Sequence, residues 1–193
     1  MEYQSLLLDI LNQLSTNFEL DELAYLALTS KPEFVIRDAI AFQLYRQLKP
    51  QGLLVAREWR HSDIAILEND TPVAIIELKS MYTFDASKAG YQRAVVADIE
   101  KARGVANEGT QVFALLLVTH PSGVVDTKFS NVVKYINPLN KAYTMSTSDA
   151  LRENASNVLP NWCSEGVATT GSINGGFAFG VQVYVDFFLY GPF

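Results

Sequence analysis

Between residues 62 and 80, SDIAILENDTPVAIIELKS, two charged residues fall in the polar middle and three, Asp63, Glu77 and Lys79, flank the apolar runs. Asp63 precedes IAIL, and Glu77 and Lys79 follow VAII fourteen residues later. Side chains alternate faces along a strand, so Glu77 and Lys79 share one face and Leu78 takes the other. The face of Asp63 depends on the turn between the two runs. A three-residue loop between Glu68 and Pro72 sets Asp63 directly across from Glu77. A two-residue turn of Asn69 and Asp70 shifts the register by one and moves Asp63 to the opposite face. Only the first arrangement gathers chemistry. Two adjacent carboxylates repel, so one takes a proton or a cation binds between them. A hard divalent ion such as Mg²⁺ suits two carboxylates and a nearby backbone carbonyl. A lysine beside them orients water or steadies charge on a phosphate, and together these groups are equipped to hydrolyse a phosphodiester.

The rest of the chain supplies elements to carry these residues. Leu and Ile recur at helical spacing over residues 4–28. A second helix is expected through EFVIRDAIAFQLYRQL, with Ser30 as N-cap, Pro32 in the first turn and Glu33 three residues after the cap, ending near Pro50 and Gly52. Strands are expected at 53–59, at SDIAIL and at VAIIEL, with turn-rich ENDTP joining the last two in an antiparallel meander. Residues 85–106 read as a helix and TQVFALLLVTH as a strand covered on both faces. A short helix over 126–136 follows, then a helix in MSTSDALRENASNVL, a loop in ATTGSINGG and a final strand in FGVQVYVDFFLY. The order is that of an α/β domain with a helix-covered sheet.

Asp63 followed by Glu77-Leu78-Lys79 resembles the PD-(D/E)XK nuclease superfamily, and the REW tripeptide at 57–59 and the upstream helix acid Glu33 fit its surroundings. The resemblance spans about residues 30–137. It implies a restriction-endonuclease-like core, a central mixed sheet flanked by helices in αβββαβ order. Residues 1–29 form an N-terminal helical segment, and residues 141–193 add an extra helix and strand to a single domain over 1–193. It also implies that Asp63 and Glu77 hold Mg²⁺, or Mn²⁺ in its place, with the Leu78 carbonyl between them, that Lys79 is catalytic, and that Glu33 completes the site. The implied activity is hydrolysis of nucleic acid, most readily DNA, by an endonuclease. Ser62 stands where many members have proline, which lowers the specificity of the motif, and Gln92 beside Tyr91 is similar to a glutamine of recombination-type members. A catalytically silent nucleic-acid-binding or assembly module on the same fold is the alternative, and a plain α/β protein whose charges only support a hairpin is a third.

Other residues have ordinary readings. Glu33 equally suits a capping box reaching back to Ser30. Asp38 is a second helix acid that could face the site, and Glu58 reads as a surface charge. Asp98 and Lys101, one helical turn apart, read as an exposed pair of little energetic weight. Lys88 and Arg93 read as a solvated helix face. His61, two residues from Asp63, cannot make a triad relay with it. His120 at a strand end reads as structural. GSINGGFAFG matches no phosphate-loop spacing.

Composition sets outer bounds. Of 193 residues, 49% are hydrophobic and 19% charged, as expected of a chain with a real core. The net charge of −6 weighs against tight nonspecific nucleic-acid binding, although a carboxylate metal site itself adds negative charge. The single cysteine, Cys163, allows no internal disulfide and points to a reducing, cytoplasmic setting. The first residues do not resemble a signal peptide, and VFALLLV falls far short of the roughly 20 residues that span a bilayer. The aromatic VYVDFFLY would be hazardous as an exposed edge. It must be paired within the fold or lie at a subunit interface, and a homodimer would suit double-strand cleavage.

Overall fold

The computed structural model describes residues 2–193. The chain is an α/β protein built on one six-stranded mixed sheet in the order β1-β2-β3-β4-β6-β5. Its strands are β1 (Leu54–Trp59), β2 (Ser62–Glu68), β3 (Thr71–Tyr82), β4 (Gln111–Pro121), β5 (Thr169–Ala178) and β6 (Val181–Tyr190). Only the β3–β4 pair is parallel. That pair needs a crossover, and helix α4 (Ala89–Val105) supplies it. The other helices are α1 (Tyr3–Gln13), α2 (Glu22–Thr29), α3 (Glu33–Leu48), α5 (Ile136–Met145) and α6 (Ser148–Val158).

Strand alternation divides the core in two. Ile64 and Ile66 of β2, Ile76 and Leu78 of β3, and Leu115 and Leu117 of β4 pack with α1, α2, α3 and α5. On α3, Ile36, Ile40, Leu44 and Leu48 fall at four-residue spacing and form its buried stripe. The opposite residues, including Met81, Ala114, Leu116 and Val118, pack with Val95 and Ile99 of α4 and Ala155 of α6. β4 is buried from Val112 to Pro121, as a strand covered on both faces requires. No helix among the described residues is long and apolar enough to cross a membrane.

Several elements differ from their sequence reading. The expected helix over 4–28 is two helices, broken where Asp21 takes a left-handed φ of 64° and accepts a hydrogen bond from Phe177 N. Ser30 is not the cap of α3: its hydroxyl donates to the Leu26 carbonyl at the end of α2, and Pro32 precedes α3. The helix expected at 126–136 is only a short turn. Asn140 binds both the N–H and the C=O of Val125, and Lys134 N donates to the Leu28 carbonyl, so tertiary bonds claim that segment and α5 begins at Ile136.

The glycine-rich stretch expected as a loop is β5. A Cβ on Gly171 would lie 2.3 Å from the Phe187 ring, so glycine there lets the strand pack on an aromatic of β6. Gly176, at φ 93°, sits at a bulge against Asp21. The final strand is thereby paired on both edges, by β4 and β5, and needs no partner subunit to cover it. Because Phe187 is buried, Gly171→Ala is expected to destabilise the protein by about 1–3 kcal/mol, measured by urea denaturation.

Candidate functional site

The turn between β2 and β3 has two residues, not three. Glu68 pairs with Thr71, and Asn69 and Asp70 both take positive φ, as a tight hairpin turn requires. Alone this would carry Asp63 to the wrong face. A β-bulge between Ile66 and Leu67 shifts the register back, so that Ile66 pairs with Ala74 and Ile64 with Ile76. Continued by one residue, that register sets Asp63 opposite Glu77.

There the two strands part. The paired residues end at Ile64 and Ile76, while β3 continues to Tyr82. The β3 edge beyond that point has lost its strand partner, and carboxylates take over its donors. Leu78 N donates to Asp63 Oδ2 at 2.7 Å and Ser80 N to Glu33 Oε2 at 2.8 Å. Within a strand, the N–H and C=O of one residue point to the same edge. The Ser80 carbonyl accordingly accepts from Lys31 Nζ at 3.4 Å on this side. The Leu78 carbonyl faces the same gap. Glu33 therefore does not form the capping box; it ties the start of α3 to β3.

Glu77 and Lys79 project from the other two positions toward α4. Glu77 is only 4% exposed, and among the described residues its Oε1 has no hydrogen-bond partner. Burial pushes its pKa from 4.5 up to about 7; Asp63 and Asp98 add to the rise, while Ser62 and Lys101 oppose it. Lys79 Nζ contacts Asp98 Oδ2 at 2.8 Å. Burial works against the Lys79 charge, but Asp98, Glu33 and Asp63 outweigh it and hold its pKa above the ordinary lysine value. Lys79 is thus an ammonium at neutral pH, suited to donate hydrogen bonds and not to act as a base.

Helix α4 contributes two residues whose spacing alone suggests only an exposed pair. Asp98 and Lys101 do not pair with each other. Asp98 binds Lys79, while Lys101 Nζ donates to the His61 carbonyl and lies 3.9 Å from Glu77 Oε1. The only signal in the sequence was their i, i+3 spacing, which places both on one face of α4.

The remaining candidates lie elsewhere. Asp38 pairs with Arg37 and Arg57, and Arg37 with Glu58, in a network that ties α3 to β1. Gln92 donates to the Trp162 carbonyl. His120 is buried between the Thr83 and Ser148 hydroxyls; burial and then Arg152 bring its pKa down to about 4, so it is neutral. Burial pushes the Cys163 thiol up to about 11, away from nucleophilic use. A surface cleft of about 580 Å³ between α1 and α3, lined by Asp9, Gln13, Asn17, Gln43 and Arg46 among others, lies away from these groups.

Asp63 and the Leu78 carbonyl lie at the gap between the parted strands, and Glu77, on the α4 side of β3, is close enough for the Asp63 charge to act on it. No group of three or more His, Cys, Asp or Glu side chains converges among the described residues. These donors fit a hard cation that keeps several of its waters, and not a closed protein cage. The unpaired Glu77 oxygen is the observation that favours such an ion. Comparison of the chain with protein-family models, curated proteins and solved structures gives no match.

The raised Glu77 pKa has a consequence for stability. Between pH 4.5 and about 7 the folded chain holds a proton that the unfolded chain has released, so stability falls as pH rises through that window. In EDTA, Glu77→Gln is expected to be about 1–3 kcal/mol more stable than wild type at pH 8. The difference should close at pH 4. Urea denaturation at the two pH values reads it.

Proposed function

We infer that the protein is a metal-dependent nuclease hydrolysing phosphodiester bonds, an endonuclease acting on DNA, with a restriction-endonuclease-like core of the PD-(D/E)XK kind. The observation that carries this reading is the buried Glu77 oxygen without a hydrogen bond, close enough to Asp63 to feel its charge and two residues from the protonated Lys79. A proton on Glu77, or a cation against it, removes an otherwise costly buried charge. A phosphodiester is a substrate class that can use both a divalent ion and an adjacent ammonium.

Asp63, Glu77 and the Leu78 carbonyl would hold Mg²⁺, or Mn²⁺ in its place. When bound, such an ion supplies Lewis-acid charge stabilisation and lowers the pKa of water. Lys79 donates to a non-bridging phosphate oxygen or to the attacking water, and it meets the negative charge that grows in the transition state. Asp98 keeps the ammonium charged and aimed. Glu33 holds the β3 edge through Ser80 N, and so fixes the direction of Lys79 one residue before.

A silent binding module on the same fold is the second reading. It is favoured by the charge-cancelled pairs that α4 makes, Asp98 with Lys79 and Lys101 beside Glu77. Nicking of supercoiled plasmid separates the two. With Mg²⁺ or Mn²⁺, wild type is expected to nick or linearise the plasmid. Asp63→Ala and Lys79→Ala should each lose about 100-fold or more of the rate. Equal cleavage by all three proteins, or none by wild type, would sink the nuclease reading.

A further inference from the structure

We propose that Lys101 is a built-in competitor for the divalent ion: its ammonium supplies positive charge to Glu77 in the metal-free protein and must leave when the ion binds. This rests on the metal-site reading above. Three observations support it. Glu77 Oε1 is the buried oxygen that lacks a hydrogen bond, and it is also the oxygen facing Lys101 Nζ, at 3.9 Å. That separation is too long for a hydrogen bond but well within reach of charge attraction. The Lys101 side chain is 45% exposed and has solvent available to it, yet it folds back onto the His61 carbonyl in the β1–β2 turn. A long surface side chain gives up rotamer freedom to be held so. Lastly, Lys101 is not needed to balance Asp98, which already has Lys79 at 2.8 Å.

The geometry imposes a competition. A divalent ion on Asp63 and Glu77 and an ammonium 3.9 Å from Glu77 repel each other, so each weakens the other. In the metal-free state Lys101 partly neutralises the buried Glu77 carboxylate. With the ion present, Lys101 can swing into solvent on its flexible stem, where its charge is available to a phosphate backbone. Affinity for the ion is lower by the strength of the lysine contact.

The test is Mn²⁺ binding to the full chain at pH 8, followed by electron paramagnetic resonance of the free ion. The proteins are wild type, Lys101→Met, Lys101→Arg and Lys134→Met. Methionine keeps an apolar stem and removes the charge, arginine keeps the charge, and Lys134, placed over the Tyr135 ring, serves as a remote control for net charge. Lys101→Met is expected to bind Mn²⁺ about 5- to 30-fold more tightly than wild type, a range that allows for solvent screening of a half-exposed lysine. Lys101→Arg should stay near wild type and Lys134→Met should change little. Binding by Lys101→Met with none by wild type would also support the proposal. If wild type binds and Lys101→Met binds equally or more weakly, the competitor role is overturned while the metal site stands. If neither binds, the metal site itself falls and the proposal with it. Thermal melts of the four proteins check that each is folded.

Discussion

The Glu77 carboxylate lies inside the sheet with one oxygen unpaired, and the surrounding charges are arranged around the cost of holding it there. A buried carboxylate in this position takes up a proton, gains a cation or destabilises the fold. The chain meets the problem with partial measures. Its pKa rises to about 7, so near neutrality it is only partly ionised. Lys101 stands close but beyond bonding distance. Neither measure fully satisfies the group. A structural carboxylate would be expected to have closed hydrogen bonds. The proposed metal site rests on this one, left open beside a second carboxylate and an ammonium.

The parting of β2 from β3 makes the gap. Had the ladder continued, Leu78 and Ser80 would have spent their N–H groups on the neighbouring strand. Instead Asp63 and Glu33 bind those donors, and both carboxylates are held in place by backbone. The two-residue step between the donors sets the spacing, so the backbone itself is the template for the acidic groups. Glu33 reaches it from α3 and Asp63 from β2, which ties helix and hairpin to the same edge.

Helix α4 plays two parts. It makes the crossover that the parallel β3–β4 pair requires, and it turns Asp98 and Lys101 toward the sheet. Their charges are opposite to those of the residues they meet, so α4 and β3 form a short electrostatic seam beside the apolar contacts of Val95 and Ile99. The seam keeps Lys79 charged, a condition on which the proposed chemistry depends, and it keeps positive charge near Glu77 in the metal-free protein.

The sequence by itself determined what is local. Alternation along a strand puts Glu77 and Lys79 on one face whatever the fold does, and the apolar runs around them mark the strands as buried. The stripe of α3 and the doubly covered β4 follow from the same periodicities. Tertiary structure decided everything that depends on a distant partner. The turn at Asn69 and Asp70 and the bulge between Ile66 and Leu67 each displace the register by one and cancel, so the pairing reaches Ile64 and Ile76 in the register that a three-residue loop would have given, for a different reason. Asp98 and Lys101 could be read only as neighbours on a helix, because their partners lie on β3 and in the β1–β2 turn. Gly171 and Gly176 carry a loop composition, yet pairing with β6 and close packing on Phe187 make that stretch a strand. Residue periodicity acts over a few positions, whereas register, ion-pair choice and strand pairing are settled by contacts that exist only once the chain has closed on itself.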